Sequence, residues 1–266
     1  MKVLVACESS GTVREAFRKL GHNAWSCDLL PADDGSPFHF QQDCLQVING
    51  GFIVADDSVD PLWPAFMSGA IGHDNGDLMD AKDPRTGEWG PYPAESVGAA
   101  MQWDIVIAHP PCTYLSSSGL HWNKRRPGRA EQTNHAAEFF MGVVNACSTH
   151  AKAWAIENPI GCMSRLWLKP DQIIHPHQFG HNASKSTCLW LHNLPKLTPT
   201  KHIEPRIVSG LKRWGNQTDS GQNRLSPSAD RWKIRSKTFQ GIADAMAQQW
   251  GCIPPNPQAQ RPEGSA

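Results

Sequence analysis

Four side chains able to do covalent or proton chemistry stand where an apolar run stops. They are Glu8 after residues 2–7, Asp28 after 24–27, Cys112 after 103–108 and Glu157 after 151–156. Short runs of small and β-branched apolar residues that end in polar turns read as buried strands. In an open α/β sheet the crevice outside the carboxyl ends of the strands is where ligands bind. Cys112 is a candidate nucleophile held behind two stiff residues, Pro110 and Pro111. A thiol in that role needs access and a depressed pKa, and a buried structural cysteine is the alternative. The loop that follows, with Ser116 and Gly119, has the composition of a segment that closes over a substrate. Glu157, ahead of Asn158 and Pro159, suits hydrogen bonding or proton delivery to a ring nitrogen, unless it only bonds backbone. Asp28 with Leu29 beside it suits a ribose, or else Asp28 caps a loop. The turn Glu8-Ser9-Ser10-Gly11 would bring backbone N–H groups towards a ligand, though it lacks the full glycine-rich pattern.

Elements of matching length must hold these groups. Thr12 with Glu15 three residues on has the form of a capping box, and Val13, Ala16, Phe17 and Leu20 give the helix it opens one apolar face. Gly21 ends that helix, and 24–27 forms the second strand. Further strands fall at 103–108, 151–156 and 187–191, with a helix over 130–147 and a closing helix over 237–250. The expected fold is α/β, a doubly wound, mostly parallel sheet with a small irregular C-terminal lobe. Residues 1–191 would form the catalytic domain, interrupted by a Gly-, Pro- and Asp-rich insertion at about 49–101. Residues 192–235 would form the lobe, 236–252 a helix returning to the main domain, and 253–266 a Pro/Gln-rich disordered tail.

Composition narrows the function classes. The 266 residues are 39% hydrophobic, and no apolar run approaches the roughly 18 residues that would span a bilayer. Residues 1–11 reach a charged, turn-forming segment too early for a secretory leader, so a cytoplasmic protein without a membrane partner is expected. Eight scattered cysteines with no CxxC pair suggest reduced thiols, and neither disulfides nor a metal site. Net charge is zero, but its distribution is uneven. Residues 28–104 carry fourteen Asp/Glu and two Lys/Arg; residues 201–237 carry nine Lys/Arg and three Asp/Glu. The basic C-terminal third could meet phosphates, or be a solvated face.

Two segments resemble a known family. Residues 104–112, Asp-Ile-Val-Ile-Ala-His-Pro-Pro-Cys, resemble the Pro-Cys motif of DNA cytosine-C5 methyltransferases, and Ile156-Glu157-Asn158-Pro159 resembles their Glu-Asn-Val motif. Residues 6–11 stand in the place of that family's first cofactor loop, Asp28 matches its acidic residue at the end of the second strand, and Gln42-Asp43-Cys44 matches its third motif. Residues 180–197 look like a segment of short phage and prophage members, some of which serve restriction-modification. The resemblance covers most of 1–47 and 103–250.

The resemblance implies a Rossmann-like domain with a target-recognition lobe, S-adenosylmethionine as cofactor and double-stranded DNA as partner, the protein acting as a monomer in a bacterial host or encoded by a phage. Cys112 would add to C6 of a flipped cytosine, Glu157 would serve N3, and Lys185 would stand for the first arginine of the family's Gln-x-Arg-x-Arg. Glu8, Ser9, Ser10, Gly11, Asp28, Leu29, Asp43 and Pro110 would bind the cofactor. Pro111, Ser116, Asn158 and Pro159 would shape the base pocket, while Arg125, Arg126 and Arg213 would meet DNA. The departures are Ala183-Ser184-Lys185-Ser186-Thr187 in place of Gln-x-Arg-x-Arg, and no recognisable C-terminal Gly-Asn motif, for which 238–241 is the best candidate position. An amino-methyltransferase acting on adenine N6 or cytosine N4, which would use a Pro-Pro dipeptide without needing Glu157, and a catalytically decayed DNA-binding homologue are the alternatives.

Overall fold

The computed structural model describes residues 1–50, 79–82, 89–92, 103–228 and 231–252. The chain opens with β1 (Lys2–Ala6), α1 (Thr12–Lys19), β2 (Asn23–Asp28), β3 (His39–Gln41) and α2 (Cys44–Ile48). Two short paired strands, β4 (Met79–Lys82) and β5 (Trp89–Tyr92), follow, then β6 (Trp103–Ala108), α3 (Ser117–Leu120) and α4 (Arg129–His150). Next come β7 (Ala151–Pro159), α5 (Met163–Leu166), β8 (Gln172–Ile174) and β9 (Thr187–His192). The C-terminal part holds a hairpin of β10 (Arg206–Val208) and β11 (Leu211–Arg213), then α6 (Arg231–Ser236) and α7 (Gln240–Trp250).

One seven-stranded sheet organises the molecule, in the order β3-β2-β1-β6-β7-β9-β8. The first five strands of that order pair in parallel, and β9 runs antiparallel to both β7 and β8. This is the expected doubly wound, mostly parallel sheet. It differs from the dinucleotide-binding order 3-2-1-4-5-6 by the reversed strand inserted next to the edge.

The period-2 alternation of the strands assigns each residue to a helical layer. Leu4, Trp25, Val106 and Ile156 face the side covered by α2 and α4, through Val47, Ile48, Phe140, Val143 and Cys147. Val3, Val5, Ile105, Ile107, Ala155 and Leu189 face the side covered by α1 and α7, through Val13, Phe17, Ile242, Met246 and Trp250. Both layers contain side chains with no solvent exposure, so the sheet is covered on each face as a parallel sheet must be.

Several expectations change. Thr12 does not cap α1. Gly11 is the N-cap residue, in the left-handed region at φ 67°, with no side-chain cap of its own. A Cβ there would also lie 2.3 Å from the Arg14 guanidinium. The cap comes from further back: the Glu8 carboxylate accepts from the N–H groups of Val13 and Arg14 at 2.8 and 3.2 Å. The strand expected over 151–156 runs on to Pro159, because β9 pairs with 157–159 and extends it. The lobe is less irregular than expected, since Ser209 and Gly210, both at positive φ, close the β10–β11 hairpin. The helix expected over 237–250 is α7, which starts at Gln240, and a further short helix, α6, lies before it where the lobe was expected. Of the proposed insertion, only residues 49 and 50 and the strands β4 and β5 are described. The rest of 49–101 and the tail 253–266 lie outside the described residues. No described helix is long and apolar enough to cross a membrane. No group of three or more His, Cys, Asp or Glu among the described residues could hold a metal.

Candidate active site

The carboxyl ends of β6 and β7 lie side by side, with Ala108 opposite Ile156. Continuing the alternation of Ile105 and Ile107 along β6 puts His109 on the α1/α7 side, and continuing that of Ala155 along β7 puts Glu157 on the same side. The two side chains meet: His109 Nδ1 is 3.0 Å from Glu157 Oε2. Both are largely buried, with 11% and 13% of their side-chain surface exposed. One residue on, Asn158 is 2% exposed and donates through Nδ2 to the Pro110 carbonyl at 2.7 Å. The two motifs are therefore locked together by a side chain of the second gripping the backbone of the first.

The loop after Cys112 is pinned rather than loose. The Ser116 and Leu115 N–H groups turn back onto the Cys112 carbonyl. Ser117 N–H donates to Ile160 O and Cys162 N–H donates to Leu115 O, both at 2.9 Å. Ser116 and Gly161 form an antiparallel bridge, and a Cβ on Gly161 would stand 2.0 Å from Leu115 O. Only glycine lets the loop behind Glu157 come this close to the loop behind Cys112. The flexible Ser/Gly loop expected from sequence is, in this structure, a short helix, α3, sewn to residues 160–162.

Electrostatics couples the pair. Burial pushes the Cys112 thiol above the ordinary thiol range and the Glu157 charge adds to this, while Lys185 and Arg235 oppose it. Burial also pushes Glu157 up, but the His109 hydrogen bond, Lys185 and the Thr187 hydroxyl outweigh it and hold the carboxyl below its usual range. The expected low-pKa thiol is thus not found; the thiol is kept protonated. Lys185 fixes its ammonium by donating to the Arg235 carbonyl at 3.1 Å. A small cavity beside Glu157 is lined by Lys185, Thr187, Thr238, Phe239, Ile242 and Met246. Glu157 Oε1 is buried without a donor in good geometry, and so is His109 Nε2.

The other strand ends place the remaining candidates. Asp28 ends β2 and accepts from Leu30 N–H at 2.9 Å through Oδ1. Leu29 beside it is 74% exposed. Asp43 caps α2 by accepting from Leu45 N–H at 2.9 Å. Ser10 donates to Glu8 at 3.2 Å, and the Ser9 carbonyl accepts from Asp33 N–H at 2.8 Å. Asp33 also receives Lys233 and Lys237, at 2.6 and 2.8 Å. Those two lysine hydrogen bonds hold its carboxyl below the usual range. Helix α6, with Lys237 just after it, therefore straps the β2–β3 loop on one side and, through the Arg235 carbonyl, Lys185 on the other. Sequence reading placed 231–235 in the lobe and gave neither Asp33 nor His109 a role. Only the alternation along β6 could have singled out His109.

The structure gathers Cys112, Glu157, Lys185, Pro110 and Asn158 into one cluster and joins Ser116 to its rim. Pro159, still in β7, pairs with Thr187, and Pro111 is exposed. Arg125 and Arg126 are exposed on the segment after α3, with the Arg126 guanidinium 4.3 Å from the Trp122 ring centre. Arg213 is not brought to the cluster. Its guanidinium donates to the Asp219 and Lys212 carbonyls, each at 3.0 Å, and so holds the lobe.

No family model matches the chain, and no curated protein matches it. Among solved structures it is similar to one from E. coli described as a "putative DNA modification methyltransferase encoded within prophage". The identity is 11% and the TM-score 0.40, over 76% of this chain and 51% of that one. The chain thus spans about half the length of that structure.

Proposed function

We propose that the chain is an S-adenosylmethionine-dependent DNA cytosine-C5 methyltransferase with Cys112 as nucleophile. The observation that carries this reading is the junction of β6 and β7. A half-buried thiol and a buried carboxylate influence each other's charge there, and the Asn158–Pro110 hydrogen bond locks their segments. In this reading Cys112 Sγ forms a bond to C6 of the target cytosine. Glu157, ionised in the free protein, shares with N3 a proton taken up from solvent as the base enters, so that the electron pair leaving the C5–C6 double bond is stabilised in the ring and at C5. The reacting atoms lie inside the base stack, so the cytosine must be flipped out.

The cofactor face fits a phosphate-free adenosine ligand. A dinucleotide rests its pyrophosphate on the first helix N-terminus. Here the buried Glu8 carboxylate already occupies the Val13 and Arg14 N–H groups, and a phosphate would meet its charge. Asp28 keeps an oxygen for ribose hydroxyls, Leu29 offers an apolar surface, and Asp43 stands at the end of the neighbouring strand. Ser9, Ser10 and Gly11 form the turn between them, and Pro110 begins the floor. S-adenosylmethionine, when bound, supplies an electrophilic methyl group. The exposed Arg125 and Arg126 and the basic stretch 201–237 would meet DNA phosphates.

The test uses duplex DNA of mixed sequence carrying 5-fluorocytosine, because the recognition site is unknown. With S-adenosylmethionine present, the wild-type protein should form a denaturant-stable adduct and Cys112→Ser none. Methylation of unsubstituted DNA without an adduct would instead support the amino-methyltransferase. DNA binding with neither would support a decayed homologue.

A further inference from the structure

Glu157 would be a poor partner for a base edge if its carboxyl were free to turn. Two oxygens on a freely rotating group present no fixed donor or acceptor. In this structure one is taken: Oε2 meets His109 Nδ1 at 3.0 Å, while Oε1 has no donor in good geometry. His109 is itself held, by its backbone N–H bond to the Ala6 carbonyl at 2.9 Å and by burial of its ring. Its position three residues before Cys112 puts it on the same segment after β6 that carries the nucleophile.

We propose that His109 is a positioning residue for Glu157: by engaging Oε2 it fixes the carboxyl plane and leaves Oε1 as the oxygen offered to the ring nitrogen of the base. The inference rests on the cytosine-C5 reading for the identity of the base. The hydrogen bond and its effect on Glu157 do not depend on it. The groups facing Glu157 can be named element by element. His109 approaches from the end of β6, Cys112 from the loop after it, Lys185 from ahead of β9, and Thr187 and Cys188 from β9 itself. The segment into α7 brings Thr238, Phe239, Ile242 and Met246, none of which titrates. Among the influences that oppose burial of Glu157, the His109 hydrogen bond is the foremost, ahead of Lys185. Losing it should therefore raise the Glu157 midpoint.

Two substitutions separate positioning from packing. Asn places its amide nitrogen the same number of bonds from the backbone as histidine Nδ1, so His109→Asn keeps a donor for Oε2. His109→Ala removes it. The Glu157 carboxyl is followed by carbon NMR in 13C-Glu-labelled protein without substrate, assigned with Glu157→Gln, and thermal unfolding checks that each variant folds. His109→Ala should raise the Glu157 midpoint by about one pH unit or more, and His109→Asn by less than half as much. In methyl-transfer assays His109→Ala should lower kcat about 100-fold with KM for DNA little changed, and His109→Asn should restore most of it. An unchanged Glu157 midpoint in folded His109→Ala, or equal shifts in both variants, overturns the inference. So does a rise in KM alone. If the wild type forms no 5-fluorocytosine adduct while the midpoint still shifts, the methyltransferase reading falls and the hold of His109 on Glu157 stands.

Discussion

The two ends of the same pair of strands, β6 and β7, each carry an acidic residue that resists burial, and they do so in opposite ways. At the amino ends, Asp104 accepts from the Lys2 N–H at 2.8 Å and from Lys152 Nζ at 2.7 Å, so both of its oxygens are used. At the carboxyl ends, Glu157 has one oxygen on His109 and the other without a donor in good geometry, beside a thiol whose pKa is raised. Burial pushes both carboxyls up and their partners bring both below the usual range. The difference lies in what remains unpaired. A buried polar atom without a partner costs about 1–3 kcal/mol, which a fold tolerates where an incoming ligand completes the set. The amino end is a closed ion pair that serves stability; the carboxyl end is open.

The largest effect that would sharpen this contrast comes from Glu157→Gln, which keeps the shape and removes the proton that can be exchanged. Methyl transfer should fall by roughly 100- to 10,000-fold, the range typical of a lost general acid or base, while the melting temperature holds or rises. Single-turnover rates and calorimetry on the same samples read both. A fall in stability with an intact rate would make Glu157 another Asp104.

How much of this contrast was legible in the sequence follows from what sequence patterns encode. The strand ends at Ala6, Asp28 and Ala108 fall where apolar alternation meets polar turns, so the parallel half of the sheet could be read directly. The strand β8 and the edge strand β3 have three residues each, too few for a period to show. The direction of β9 is a matter of connection and not of composition. In the site, Cys112 and Glu157 announce themselves by residue type and place. The Glu8 cap does not, because a carboxylate reaching the N–H groups five and six residues on is a tertiary choice that displaced the nearer Thr12. The Asp33 clamp joins residues some two hundred positions apart, and no local pattern reports it.

A second effect follows from the sign of the Cys112 shift. Burial, seconded by Glu157, holds the thiol protonated at neutral pH, and only the thiolate attacks. The adduct rate should therefore climb about tenfold per pH unit between pH 7 and 8. Rapid-quench trapping on 5-fluorocytosine DNA measures it, and a flat profile would mean that DNA binding itself ionises the thiol. Lys185 acts in the opposite sense, lowering both Cys112 and Glu157. Lys185→Gln should slow adduct formation by about tenfold at pH 7 and displace the same profile to higher pH without changing its slope, consistent with loss of one partly screened charge. An equal rate at all pH values would remove Lys185 from the open end of the sheet.

The smallest effect belongs to the closed end. Asp104→Asn should leave the methyl-transfer rate within twofold of wild type and cost about 0.2–1 kcal/mol, the worth of an ion pair that water partly screens. Side-chain exposures of 23% for Asp104 and 46% for Lys152 place the pair in that class. The sign of its pH dependence is fixed. The folded-state pKa of Asp104 lies below the usual value, so the unfolded chain takes up its proton first as the pH falls. The stabilisation is complete above the unfolded aspartate value near 3.9 and is lost as pH drops through the lower folded value. Urea denaturation of wild type and variant at pH 7 should differ by that small amount, and the difference should shrink towards pH 3. A difference that persists unchanged to pH 3 would show that Asp104 acts by shape and not by charge. The closed pair at the amino ends would then no longer serve as the electrostatic counterpart of the open one at the carboxyl ends.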